Sequence, residues 1–206
     1  MGAVEILGVA ASLSLLAGWR LYLTVFATGV AMYFNWLPLP EHLASLQILS
    51  NPWVLGASGV GLVAEFLADK VAWVDSAWDA VHSFIRPLGG ALLSLAIVDA
   101  SDPMWQVIAF LMGGGAALLS HGAKASTRAV VNASPEPFSN IAVSTSEDVA
   151  TGSLLALAIA FPAVAVVIAV IMALAAVIVI WAIRRLLRQI KRLGDPVADV
   201  QTAAKG

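Results

Sequence analysis

From Val149 to Ile183 the chain carries no charged residue, and only Thr151 and Ser153 bring a hydroxyl to the run. A helix packed on a soluble core keeps a polar face. This stretch has none, so its solvent is lipid. As a helix it would measure about 50 Å at 1.5 Å per residue, more than the ~30 Å of a bilayer core. Pro162 is therefore expected to divide it into a short leading piece and a full crossing from Ala163 to Ile183. Arg184, Arg185, Arg188, Lys191 and Arg192 follow at once. Such a cluster predicts a cytoplasmic C-terminus by the positive-inside rule. The spacing of Leu186, Leu187, Ile190 and Leu193 predicts a helix continuing along the membrane surface.

The rest of the chain agrees. Of 206 residues, 60% are hydrophobic and 12% charged, against about 45–50% and about 25% in soluble domains; the mean hydropathy is +0.90. The length suits one domain, with residues 1–183 as a transmembrane helical domain and 184–206 as a basic amphipathic cytoplasmic tail. A net charge of −2 leaves no basic field, so nucleic acid is not an expected partner. Cys is absent, which excludes disulfides, thiolate metal sites and thiol nucleophiles together.

Glu5 is the first charge, and the apolar run passes Gly18 and Arg20 to reach Phe34. A removable signal would open with basic residues, so this segment is expected to stay in the membrane. It is too long for one simple crossing. Either one tilted helix emerges at an interface, or two shorter helices meet at Gly18-Trp19-Arg20. Segment 36–51, with Pro38, Pro40, Glu41, His42 and Asn51, reads as a loop with an interfacial turn. Pro52–Ala68 is the next span, with Gly56, Gly59 and Gly61 allowing close helix approach. Pro87 opens a run from Leu88 to Val98, ended by Asp99, Asp102 and Pro103. Met104–Ser120 is a span holding Gly113 to Gly115. Segment 121–150 is the most polar, broken at Ser134-Pro135-Glu136-Pro137. The expected fold is all-α, a multi-pass transmembrane helical bundle of five or six crossings with broken or re-entrant helices.

Ionisable groups inside apolar spans are costly and mark partners or wet cavities. Glu65 and Asp69 lie one helical turn apart. Asp75, Asp79, His82 and Arg86 fall within roughly 60° of one helical face, as do His121, Lys124 and Arg128. Trp73, Trp78 and Phe84 lie off the first stripe, where an interface would hold them. Two readings stand side by side. Carboxylates and an imidazole on one face can coordinate a cation or carry protons. Equally, Glu65 or Asp69 can pair with Lys124 or Arg128 simply to neutralise buried charge. Arg20 either faces an anionic group such as Glu65 at a helix break or snorkels to an interface. Gly59–Val74 and Gly113–Val130 share glycines followed by ionisable residues. That likeness fits either a weak internal repeat of the transporter kind or shared small-residue packing.

Four short patterns carry a family resemblance: Gly18-x-Arg20; Glu65-x-x-x-Asp69-Lys70 with Asp75; Arg86-Pro87-x-x-Gly90-Ala91; and Ser146-Glu147-Asp148. In this order, and over most of residues 10–180, the chain resembles a bacterial membrane-protein family known as domain of unknown function 4126. The family often carries Pro two residues after its Asp-Lys pair, where this chain has Ala72. The resemblance implies a multi-pass protein of the bacterial inner membrane and supplies no catalytic residues.

The residues themselves point first to a small transporter or channel for an ion or small polar solute, assembled as a homo-oligomer in the lipid bilayer. Glu65, Asp69, Asp75 and Asp79 would line the path, with His82 as proton carrier or ligand. Arg86, Lys124 and Arg128 would balance them or attract an anion, with Arg20 and His121 beside the path. A membrane scaffold recruiting a partner through segment 121–150 or the tail is one alternative. A lipid-modifying enzyme is another, in which Asp75, Asp79 and His82 could bind a divalent cation. No nucleotide-binding, zinc-protease or nucleophile-elbow signature is present.

Overall fold

The computed structural model describes residues 2–36, 41–98, 102–133 and 137–193, all helices and short connections. Within these described residues seven α-helices run in order: α1 Ala3–Trp19, α2 Leu21–Tyr33, α3 Pro52–Ala68, α4 Ala72–Ile97, α5 Pro103–Val131, α6 Pro137–Ala160 and α7 Pro162–Leu193. A 3-10 segment, Glu41–Ser50, joins α2 to α3 where the sequence suggested a loop. Pro38, Pro40, the break at 134–136 and the tail from 194 onward lie outside the described residues.

Local chemistry sets the boundaries. Four helices begin on proline, which lacks an N–H that the first turn leaves unpaired anyway. For α3 and α5 the preceding residue completes the cap: Asn51 Oδ1 accepts from the Trp53 amide at 2.9 Å, and Asp102 Oδ1 from Met104 at 2.8 Å. At the end of α2, Asn35 takes a left-handed φ of 52°. The amides of Asn35 and Trp36 turn back onto Met32 and Ala31 at 3.1 and 3.0 Å, a Schellman closure.

α1 and α2 meet at a break, the second of the two arrangements the sequence left open. Arg20 leaves the helical region at φ −141°, ψ 83°, yet its amide still reaches Leu16 at 2.7 Å and its carbonyl still receives Thr24 at 3.0 Å. Two expectations are corrected. Pro87 does not open a new run: it sits inside the unbroken α4, whose packing against α5 and α1 outweighs the missing hydrogen bond. The piece leading to Pro162 is not short either, because α6 reaches back to Pro137, and α7 alone continues as one helix through Leu193. The two glycine-bearing runs also differ. Gly59–Val74 bends from α3 into α4, whereas Gly113–Val130 is continuous helix, so shared packing accounts for their likeness.

α4, α5 and α7 are long and apolar enough to cross a membrane, and α1, α2 and α3 are apolar but shorter. α4 and α5 form the most extensive helix pair, with α1 laid across both. Their crossing is made by small residues. A Cβ on Gly18 would fall 2.6 Å from the Cα of Ala117, and one on Gly113 would strike the Gly90 carbonyl oxygen and Ser94. The Ser14 hydroxyl donates to the Gly90 carbonyl at 2.9 Å at the same level. This waist divides the bundle. On one side lies an apolar core of Val9, Leu13, Leu93, Ile97, Ala109, Leu155, Ile159 and Ile168. On the other side lie the ionisable groups.

Candidate functional site

Helix polarity gathers the charges at one end. The C-terminal ends of α1 and α3, the N-terminal halves of α4 and α6 and the C-terminal half of α5 all lie there. The basic end of α7 leaves from the same side, since Ala175, Ala176 and Val179 share a cavity wall with Trp19, Lys124 and Glu147.

All ten residues singled out in the sequence lie in this charged half, and each is buried. Asp69, capping α3 and fully enclosed, is the hub. It pairs with Arg20, with Lys124 at 3.1 Å and with Arg128 at 3.2 Å. Glu65, one turn earlier, receives Arg86 at 2.7 Å. Arg86 also reaches Asp79 at 3.0 Å, and Lys124 lies 3.7 Å from the same Asp79 oxygen. Arg20 does not snorkel. It is 1% exposed and bound to Glu147 at 3.0 Å and Asp148 at 3.2 Å as well as to Asp69. The pairing of the α3 acids with α5 bases is thus real for Asp69, while Glu65 pairs with Arg86 of α4.

The two histidines are held differently. His121 Nδ1 stands 2.7 Å from an Arg86 nitrogen, which can only donate, so that ring nitrogen is bare; Nε2 then donates to Ser83 Oγ at 3.0 Å, and Ser83 donates to the Asp79 carbonyl at 2.9 Å. His82 Nδ1 donates to the Trp78 carbonyl at 2.8 Å, and Nε2 faces the Tyr22 hydroxyl at 3.1 Å. Trp78 stacks on His82 at 4.2 Å, while Trp73 and Phe84 are exposed. His82 makes no ion pair among the described residues. Asp75, Asp79 and His82 do not converge on a common point, and no group of three potential ligands for a metal exists among the described residues.

Five contributors around Asp69 and along α6 escaped the sequence selection. Glu147 binds Arg20 at 3.0 Å and Arg128 at 3.2 Å. Asp148 lies at the rim with its side chain 22% exposed. Asn140 receives Arg128, and the Ser144 carbonyl receives Arg20 at 2.8 Å. Lys70, also at the rim, reaches the Ser144 hydroxyl at 3.2 Å and lies over the Phe66 ring at 3.5 Å. Asn140, Ser144, Glu147 and Thr151 follow the four- and three-residue steps of one helix face, the signal that would have found them.

Among the described residues, indentations reach the network from two sides. One, of about 280 Å³ between α1, α5, α6 and α7, has mainly apolar walls with Lys124 and Glu147 among its lining. The other, of about 240 Å³ between α4 and α5, is lined by Asp75, Ser76, Asp79, Ser83, Arg128 and Asn132. Segment 121–150 turns His121, Lys124, Arg128, Asn140 and Glu147 into the bundle and leaves Val130, Ile141 and Val149 exposed.

An all-helical body with membrane-length helices around a buried web of ion pairs defines a helical membrane protein with an internal ionic site. The chain belongs to the family described as Domain of unknown function (DUF4126), which it matches over residues 7–182. No curated protein and no solved structure matches it.

Proposed function

We propose that this protein is a small membrane transporter for an ion or small polar solute, and that the buried network is its binding site. One observation carries this. Five enclosed carboxylates (Glu65, Asp69, Asp75, Asp79, Glu147) meet four enclosed bases (Arg20, Arg86, Lys124, Arg128) in one connected web. At the rim, Asp148 and Lys70 balance each other. Removing ions from water costs several kcal/mol each even when paired, and a hydrophobic core of equal size would hold the helices without that cost. The unequal count leaves one negative charge for a mobile cation or proton to neutralise.

The geometry favours a carrier over an open pore. Both indentations lie on the charged side, and the apolar core closes the other side at Leu13, Leu16, Ile97 and Leu155. A carrier has to be shut on one side at a time; a standing pore does not. In this reading the protein crosses the bacterial inner membrane several times, its C-terminus is cytoplasmic, and copies associate into a homo-oligomer. The site then faces the cytoplasm.

Flux in liposomes tests the reading. Purified protein should move at least one small ion, and Glu65→Gln, which takes the charge from Arg86's closest carboxylate, should slow that flux about tenfold or more, equivalent to ~1.4 kcal/mol on the barrier. No flux for any ion tried, or equal rates in the variant, would defeat the transporter reading.

A further inference from the structure

We propose that the mobile charge is a proton, and that Asp75 carries it, sharing it with the neighbouring Asp69 carboxylate. Both carboxylates face the guanidinium of Arg128, Asp69 Oδ2 at 3.2 Å from Nη2 and Asp75 Oδ1 at 3.9 Å from Nε. Two ionised carboxylates brought together at one guanidinium repel, and neither can donate to the other. A proton between them turns the clash into a bond.

The surroundings decide which acid holds it. Asp69 already accepts from Arg20, Lys124 and Arg128, so its ionised form is strongly favoured. Asp75 has no such support. Its Oδ2 accepts from the neutral amide of Asn132 at 2.6 Å, and Oδ1, fully buried, has no donor among the described residues. The one cation facing it there, Arg128 on α5, stands at 3.9 Å. Asp79, one turn along α4, and Asp69 at the end of α3 both add negative charge. Glu65 also has an oxygen without a donor, but its other oxygen takes Arg86 at 2.7 Å, so it is a poorer seat. One proton on Asp75 cancels the single excess charge of the enclosed web.

The same groove offers a route. Asp75 lines the indentation between α4 and α5 beside Ser76, Asp79 and Asn132. A proton arriving there reaches Asp75 without crossing the α1–α4–α5 waist. Turning the carboxyl from Asp69 into the groove lets it pass the proton to solvent there, leaving Asp75 ionised beside the Asn132 amide and Asp69 with its three cations. The proton's role as coupling ion rests on the transporter reading; its place on Asp75 does not.

Infrared spectroscopy of the full chain in nanodiscs at neutral pH separates the two. The wild type should show the carbonyl stretch of a buried protonated carboxyl group. Asp75→Asn should abolish it, and Glu65→Gln should retain it. The side-chain amide that Asp75→Asn introduces can donate to Asp69 as the proton does, so this variant should keep the wild-type thermal midpoint while losing the pH dependence of flux. A wild type without the band, or a band that survives Asp75→Asn, overturns the proposal. A band lost in Asp75→Asn from a protein that moves no ion upholds the proton site and removes only the transporter reading.

Discussion

The two ends of the bundle are built from many of the same helices, yet they cohere by different physics. α1, α4, α5 and α6 each pass from a charged half into an apolar half. In the apolar half Val9, Leu13, Ile97, Ala109 and Leu155 interlock by shape. Lipid tails are as apolar as these side chains, so what holds them is dispersion and close fit, not escape from water. In the charged half the alternative to a partner is a bare ion in hydrocarbon, so every buried carboxylate there faces at least one base, and Asp69 faces three. The lesson is that one half tolerates exchange of apolar volume while the other depends on particular charges.

The comparison breaks most readily at Asp69. Asp69→Ala leaves Arg20, Lys124 and Arg128 facing one another and should cost about 3–5 kcal/mol or more, read from denaturant unfolding in mixed micelles. At the waist, Gly18→Val must displace the backbone of Ala117, and about 1–3 kcal/mol is expected, the usual penalty of overpacking. A smaller loss for Asp69→Ala than for Gly18→Val would mean that ion pairs do not hold the charged half. The least effect is expected at Gly115, whose added Cβ meets nothing within 4 Å. Gly115→Ala should raise stability by about 0.5–1 kcal/mol through helix propensity alone. Destabilisation there would reveal a helix contact on that face of α5, in an assembled form of the protein.

Much of this contrast is legible along the chain. The apolar run before Arg184 marks α7, and the periodicities of Asp75–Asp79–His82–Arg86 and His121–Lys124–Arg128 mark two lines of the site. Hydropathy could not name the hub, because Asp69 sits in a turn and its three cations come from two other regions of the chain. Asn132, Asn140 and Ser144 were missed because neutral amides and hydroxyls leave little trace in a charge pattern, although Asn132 stands one turn after Arg128 on the same stripe. Pro87 misled for a different reason: local propensity marks a break, and tertiary packing overrode it.

The glycine-and-alanine waist has a mechanical consequence. Where backbones touch without intervening side chains there is nothing to flex, so α1, α4 and α5 form a chassis. α6 packs far less extensively against α5 than α4 does, and it latches onto that chassis through Glu147, Asp148, Asn140 and Ser144. Its N-terminal half is bolted by ions, while its C-terminal half, with Leu155 and Ile159, is seated in the apolar core as far as the Phe161–Pro162 joint. A charge withdrawn from that bolt strains one end of α6 and leaves the other in place.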